Sequence, residues 1–258
     1  MKDLDTVIVE ALDVLKRGGL ILYPTDTVWG IGCDATNEAA VQKVFALKRR
    51  AEAKSLVLLA CDLDMVARYV RKIPPIAVDL VEVNDAPMTI VYPGAIVAGA
   101  LRLRAAGVGT VPEGRATFGL APSVVAADGS VGIRIPRAVA AREDDRPVSA
   151  GASFCNRLIY RLRRPLVSTS ANISGEAAPS DFAAISPEIR AGVDYVVPAA
   201  LSFPAGPLSA APSGAVMPGS DRASRTPTTV VRFDDSATGR PSQILKLGLD
   251  GEVEIIRP

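Results

Sequence analysis

The feature that most constrains the fold of this chain is the alternation of short hydrophobic runs with longer segments of helical periodicity. Apolar residues recur at helical spacing through residues 7–15, and Gly18-Gly19 then favours the end of that helix. Residues 20–23 form a short hydrophobic run typical of a buried strand. Asn37 is a favourable N-cap for a second helix, and residues 55–60 read as another strand. Because strands and helices alternate, the sequence predicts an α/β fold with a mixed sheet.

The alternation continues to the end of the chain, with three interruptions. Further helices are predicted over residues 63–70, 76–83 and 154–162, and further strands over 88–92, 132–135, 166–168, 195–197, 243–247 and 253–256. The interruptions are the irregular segments 95–128, 138–152 and 199–239. Long irregular segments inside compact domains are uncommon and are usually functional or disordered. We therefore predict a single domain over residues 1–258 that carries these three segments as loop insertions.

The chain contains no histidine among its 258 residues. This excludes Ser-His-Asp and Cys-His catalytic units and any zinc site that uses imidazole. Chemistry must instead use lysine, arginine, carboxylates, hydroxyls, backbone amides or a metal that arrives with a substrate. With 29 Lys and Arg against 28 Asp and Glu, the net charge of +1 argues against a protein that coats nucleic acid generally.

The cysteines and the N-terminus indicate a compartment. Cys33, Cys61 and Cys155 are scattered and odd in number, which does not suggest a disulfide framework or a metal cluster. The first residues carry acidic side chains where a signal peptide would carry basic ones. We expect a cytoplasmic protein without membrane contact.

The first polar cluster is Tyr-Pro-Thr-Asp-Thr-Val-Trp-Gly-Ile-Gly at residues 23–32. A predicted strand delivers the hydroxyls of Thr25 and Thr27 and the carboxylate of Asp26 to a turn, and strand ends of α/β sheets are common ligand sites. Threonine and aspartate also form such turns by bonding to their own backbone. A binding role and a structural role are both open.

The second cluster is Lys-Arg-Arg-Ala-Glu-Ala-Lys at residues 48–54. Cations at the end of a helix stabilise its dipole, which would be a purely structural role. Lys48, Arg50 and Lys54 could equally bind phosphate, with arginine as a fork and lysine as a point charge.

The third cluster is Ser-Thr-Ser-Ala-Asn-Ile-Ser-Gly at residues 168–175, directly after a predicted strand. Its hydroxyls and the amide of Asn172 could bind phosphate, ribose or a base edge. A helix cap followed by a serine-rich turn is the structural alternative. Thr89, Arg134 and Ser242 lie beside other predicted strands and are weaker candidates.

Taken together and in this order, these segments resemble the YrdC-like family of threonylcarbamoyl-AMP synthases. The matching motifs are Tyr-Pro-Thr-Asp-Thr-Val-Trp-Gly-Ile-Gly at 23–32, Lys-Arg-Arg-x-x-x-Lys at 48–54, Pro-Met-Thr-Ile-Val at 87–91, Gly-Ile-Arg-Ile-Pro at 132–136, Ser-Thr-Ser-Ala-Asn-Ile-Ser-Gly at 168–175 and Pro-Ser-Gln-Ile at 241–244. Each motif alone is unspecific, but six in the family's order are highly specific. The resemblance implies a twisted mixed parallel and antiparallel sheet with helices and a large basic cavity on one face.

The resemblance also implies a reaction. L-threonine, bicarbonate and ATP, the last with Mg²⁺, would give threonylcarbamoyl-AMP and pyrophosphate. The product would pass to the tRNA threonylcarbamoyl-transferase machinery for N6-threonylcarbamoyladenosine synthesis, and weak direct binding of tRNA is a further expectation. Such a reaction is catalysed largely by positioning and electrostatics, without a protein nucleophile or a metal held by the protein itself.

The residue roles implied by the resemblance fall into three groups. The catalytic residues would be Lys48, Arg50 and Lys54. The threonine-binding residues would be Thr25, Thr27 and Arg134. The nucleotide-binding residues would be Arg50, Lys54, Thr89, Ser168, Ser170, Asn172, Ser242 and Arg257.

Two other functions compete with this interpretation. An RNA-binding or ribosome-associated module could use the same basic cavity without turnover, which salt-dependent RNA affinity would reveal. A carbamoyl-transfer domain of the hydrogenase-maturation type is also similar. Those domains sit in longer chains with zinc-finger-like cysteines, which the three scattered cysteines here do not suggest.

Overall fold

The computed structural model describes residues 2–50, 56–84, 86–98, 119–136, 149–204 and 228–258. The helices are α1 (Leu4–Lys16), α2 (Glu38–Lys48), α3 (Leu63–Tyr69), α4 (Pro75–Val83), α5 (Ala150–Leu162) and α6 (Pro187–Ala191). The strands are β1 (Ile21–Tyr23), β2 (Gly30–Gly32), β3 (Val57–Leu59), β4 (Met88–Tyr92), β5 (Val131–Arg134), β6 (Leu166–Ser170), β7 (Tyr195–Val196), β8 (Ala200–Pro204), β9 (Thr228–Arg232), β10 (Gln243–Leu247) and β11 (Val253–Arg257).

Within these ranges, nine strands form one sheet in the order β11-β10-β4-β5-β3-β6-β2-β1-β7, and β8 pairs with β9 separately. The pairs β1–β7, β4–β10 and β3–β5 are parallel, while the other neighbours in the large sheet are antiparallel. The predicted α/β fold with a mixed sheet is therefore confirmed. In the part of the chain that the structure describes, no helix is both long and apolar enough to cross a membrane.

Side-chain caps define where the first two helices begin. The Asp3 carboxylate accepts the backbone N–H of Thr6 at 2.9 Å, and the Asn37 side chain accepts that of Ala40 at 3.2 Å. These bonds satisfy N–H groups that a helix leaves unpaired at its start. The predicted N-cap at Asn37 is confirmed.

Strand β2 was not among the sequence predictions, because two glycines in three residues argue against a strand. The structure shows why glycine stands there. A Cβ atom at Gly32 would lie 2.6 Å from both the Tyr23 ring and the backbone oxygen of Val167. The Tyr23 hydroxyl donates to that same oxygen at 3.1 Å, so the close approach of β1, β2 and β6 requires a residue without a side chain.

Parts of the three segments predicted as insertions lie within the described residues. In the first, the Ala98 N–H donates to the Leu120 oxygen at 2.8 Å, and Leu120 is fully buried. In the second, Ser149 caps α5, which begins four residues earlier than the predicted Phe154. The third contains β8 and β9. The middle parts, 99–118, 137–148 and 205–227, lie outside the described residues, so their status as insertions stays a prediction.

Candidate functional site

A cavity of about 250 Å³ lies where the three polar clusters of the sequence meet. Its walls include most of the predicted site residues, namely Thr25, Thr27, Arg50, Arg134, Ser168, Ser170, Ser242 and Arg257. The volume is below the ~300–1,000 Å³ of typical small-molecule sites. The large extent predicted for the basic cavity therefore stays a prediction. Lys54 lies outside the described residues.

The turn after β1 uses its own hydroxyls to hold its shape. Thr25 Oγ1 accepts the N–H groups of Thr27 and Val28 at 3.0 and 3.2 Å and lies 2.7 Å from the Val28 oxygen, to which it donates. Thr25 is buried, and its hydroxyl is already engaged within the turn. The structural role left open by the sequence is thus present at Thr25, and the turn presents a rigid wall to the cavity.

The carboxylate of Asp26 forms a buried ion pair with the guanidinium of Arg134, which also donates to Thr27 Oγ1 at 3.4 Å. The two side chains are only 8% and 4% exposed. Burial is the largest single effect and would lower the pKa of Arg134. The charge and the hydrogen bond of Asp26, with smaller contributions from Cys155 and Tyr23, nonetheless together raise that pKa. Asp26 belongs to the first polar cluster, but no individual role at the site was predicted for it. Its place between two threonines of a binding motif was the available signal.

Arg134 therefore reaches the cavity with part of its donor capacity already used by Asp26. The register of the sheet brings this about, because Arg134 on β5 lies opposite Leu59 of β3 and Thr89 of β4. The predicted role of Arg134 in binding threonine stays a prediction.

Lys48 does not line the cavity, which differs from its predicted contact with phosphates. Its side chain is buried, and its ammonium donates to the backbone oxygens of Ser170 and Asn172, the latter at 2.6 Å. A third, longer contact of 3.4 Å reaches Asn172 Oδ1. These three acceptors match the three donors of an ammonium group. Lys48 thus ties the end of α2 to the end of β6.

Asn172 is likewise part of the scaffold in this arrangement. Its amide donates to the backbone oxygens of Glu176 at 2.7 Å and Ile173 at 3.1 Å, which closes the turn after β6. Ser168 and Ser170 line the cavity instead, because β6 pairs with β2 and its end reaches the turn that contains Thr27.

We expect the stability contributed by Lys48 to rise with pH. Burial and the nearby Arg50 charge lower the pKa of Lys48 to about 8, whereas an unfolded lysine keeps its proton to about 10.4. Between these values the unfolded chain binds more protons, so the free energy of unfolding increases with pH. The free energy of unfolding of the wild type, measured in urea, should therefore rise relative to that of Lys48→Met between pH 7 and 9.5.

Lys246→Met is the control for this experiment. The hydrogen bond to Asp128 raises the pKa of Lys246, so this lysine keeps its proton in the folded and the unfolded protein over this pH range. The difference in the free energy of unfolding between wild type and Lys246→Met should therefore not change with pH. If the free energy of unfolding of the wild type fell relative to that of Lys48→Met as the pH rises, the lowered pKa of Lys48 would be contradicted.

Three predicted site residues lie together near the start of β10, namely Thr89 on β4, Ser242 and Arg257 on β11. Ser242 and Arg257 line the cavity, whereas Thr89 does not. Thr89 Oγ1 and Ser242 Oγ are 2.7 Å apart, and both residues are buried. The backbone oxygen of Ser242 accepts Nε and a terminal nitrogen of Arg257 at 2.9 and 2.6 Å. The pKa of Arg257 is lowered, mainly because the side chain is partly buried and to a smaller extent because the positive charge of Arg134 repels it.

The described lining of the cavity combines side chains that could bind an anion. Arg50, Arg134 and Arg257 reach its wall together with several hydroxyls, and no carboxylate stands among its described lining residues. Burial lowers the pKa of Arg50, but an arginine nonetheless keeps its charge. A bound anion would offset the repulsion between Arg134 and Arg257. Across the described ranges, no three Cys, Asp or Glu side chains are grouped so that they could hold a metal ion.

Comparisons with known proteins agree with this architecture. The model of the Sua5/YciO/YrdC family, described as "Telomere recombination", matches residues 13–207. A threonylcarbamoyl-AMP synthase of Xanthomonas euvesicatoria pv. vesicatoria is 29% identical over 72% of this chain and 82% of its own length. One from Halorhodospira halophila is 40% identical over 31% of this chain, and the match spans 42% of that relative. These relatives carry the name of an enzyme.

A solved structure shares the fold. The crystal structure of P. abyssi Sua5 complexed with L-threonine aligns with a TM-score of 0.56 at 20% identity. The alignment covers 75% of this chain and 46% of that one, so this chain spans less than half of that protein. Because the family model covers more than half of the sequence and the mixed sheet agrees with that structure, this chain belongs to the Sua5/YciO/YrdC family.

Proposed function

We propose that this protein is a threonylcarbamoyl-AMP synthase, which forms threonylcarbamoyl-AMP and pyrophosphate from L-threonine, bicarbonate and ATP. The observation that carries the proposal is the cavity wall, which combines three arginines and several hydroxyls without a described carboxylate. The relatives named for this activity and the threonine bound to P. abyssi Sua5 support the proposed substrates.

The charge of the reactants explains why such a wall suits the reaction. Threonine and bicarbonate first form a carbamate with loss of water. A carbamate oxygen then attacks the α-phosphorus of ATP, a new P–O bond forms, and the bond to the pyrophosphate oxygen breaks. Nucleophile and electrophile are both anionic, so the enzyme must cancel charge and hold them in line.

The described residues divide this work. Arg50 and Arg257 would neutralise phosphate oxygens, and the hydroxyls of Ser168, Ser170 and Ser242 would orient the nucleotide. Arg134 would face the carboxylate of threonine or of the carbamate. Lys48 would act without touching substrate, because its ammonium holds the backbone at Ser170, the last residue of β6.

Magnesium does not fit a dedicated site among these residues. Mg²⁺ prefers carboxylate and phosphate oxygens, and the described wall offers arginines and hydroxyls instead. We therefore assign the ion to the ATP complex as it arrives and derive no step from it. As further parts of the proposal, the protein acts in the cytoplasm and its product is consumed by tRNA-modifying enzymes.

The test is pyrophosphate release by the purified protein with ATP and Mg²⁺. Release should require both threonine and bicarbonate, and threonylcarbamoyl-AMP should appear in equal amount by mass spectrometry. Release that persists without threonine would contradict the proposal. Salt-dependent binding of tRNA without any pyrophosphate would instead favour an RNA-binding module.

A further inference from the structure

The segment that leads into the last predicted motif runs beside the turn after β1 and ends at the cavity. Residues 233–242, here called the strap, connect β9 to β10 and begin with a short 3-10 helix, Phe233–Ser236. The end of the strap lines the cavity through Pro241 and Ser242. The strap thus forms part of the site wall, although most of it lies in a segment predicted to be an insertion.

Two backbone amides of the strap bind the turn directly. The N–H of Thr238 donates to the oxygen of Asp26 at 3.0 Å, and the N–H of Gly239 donates to the oxygen of Thr27 at 2.9 Å. The strap therefore lies along Asp26, which pairs with Arg134, and Thr27, whose hydroxyl accepts a hydrogen bond from Arg134. Any displacement of the strap would have to break these two bonds.

The first part of the strap is anchored at Trp29, which stands between the cavity-lining residues Val28 and Gly30. Trp29 Nε1 donates to the Asp234 carboxylate at 2.7 Å, and the indole is only 3% exposed. Phe233 is buried and meets the indole edge-on, with ring centroids 6.1 Å apart. A buried indole N–H needs an acceptor, and a charged acceptor makes the stronger bond.

The last residue of the strap, Ser242, contacts two other predicted site residues, Thr89 and Arg257. The side chain of Ser242 is hydrogen-bonded to that of Thr89, and its backbone oxygen accepts hydrogen bonds from Nε and a terminal nitrogen of Arg257. The position of Arg257 therefore depends on the position of Ser242, and that in turn depends on how the strap is held.

We propose that Asp234 is a positioning residue: by binding Trp29, it fixes the strap against the turn after β1 and so holds Ser242 and Arg257 at the cavity. Asp234 itself touches no substrate in this proposal. The identity of the ligand rests on the proposed function, whereas the positioning of the strap does not.

Hydrogen exchange tests the positioning without any ligand. In Asp234→Ala, the amides of Thr238 and Gly239 should exchange at least tenfold faster than in wild type. Asp234→Asn keeps an oxygen that can accept from Trp29 and should restore most of the protection. Asp235→Ala is the matched control, because Asp235 is the exposed neighbour in the same 3-10 helix. Exchange at the Val197 amide, which donates to Leu22 at 2.9 Å in the main sheet, reports global unfolding.

ATP binding tests the consequence for the site. By calorimetry at constant salt, Asp234→Ala should weaken ATP binding at least fivefold, and Asp234→Asn should recover most of it. In a Trp29→Phe background, Asp234→Ala should weaken ATP binding less than twofold, because the indole N–H that donates to Asp234 is already absent. Unchanged exchange at Thr238 and Gly239, or a loss that is fully retained in the Trp29→Phe background, would overturn the positioning role. Wild-type protein that binds no ATP would contradict the proposed function, while the exchange experiment would still decide the role of Asp234.

Discussion

Arg50→Gln should lower the rate of pyrophosphate formation about 10- to 100-fold. Arg50 reaches the cavity wall, where it would bind a phosphate oxygen, and a hydrogen bond to a charged group contributes roughly 1.5–3 kcal/mol. The loss should appear in kcat/KM for ATP, measured by pyrophosphate release at fixed threonine and bicarbonate. Titration calorimetry with ATP should show a parallel loss of affinity.

Arg49→Gln is the matched control for this prediction. Arg49 is the preceding residue, but its side chain is 68% exposed and pairs with Glu188 at 2.6 Å on the surface. Exposed pairs of this kind contribute about 0–1 kcal/mol, so the activity should change less than about twofold. If both variants lost activity equally, a general effect of positive charge would replace the specific role of Arg50.

Asp26→Ala should cause the largest loss of stability among these changes, about 3–5 kcal/mol in the free energy of unfolding. The substitution leaves the buried guanidinium of Arg134 without its partner, and an uncompensated buried charge is costly. Urea unfolding followed by circular dichroism measures the effect. Asp26→Asn, which keeps the shape and an acceptor, should lose less and serves if the alanine variant does not fold.

Glu188→Ala provides the comparison, since it removes the acidic partner of an exposed arginine and should cost no more than about 1 kcal/mol. A second variant, Asp26→Ala with Arg134→Met, should recover part of the stability lost in Asp26→Ala, because no unpaired charge remains buried. An Asp26→Ala loss as small as that of Glu188→Ala would show that the pair is not buried in solution.

Local pattern was sufficient for most of the secondary structure. The N-cap at Asn37 and the helical period of α1 depend on neighbours within a few residues, so both could be predicted. Strand β2 could not, because the reason for its glycines is the approach of Tyr23 and Val167. That approach involves a strand more than a hundred residues away in sequence.

The sequence by itself determined the alternating fold, the types of side chain at the site and the order of the motifs that identify the family. Only the tertiary structure decided what each side chain contacts. Lys48 and Arg50 belong to one motif and are separated by Arg49, which has a left-handed conformation with φ of 50°. The ammonium of Lys48 donates to the backbone oxygens of Ser170 and Asn172. Arg50, in contrast, reaches the cavity.

The sequence could not predict the partners of Asp26 and Trp29 either. Asp26 meets Arg134 across 108 residues, and Trp29 meets Asp234 across 205. Motif spacing reports which groups are available within a local segment, whereas burial, pairing and direction depend on strands that only the folded sheet brings together.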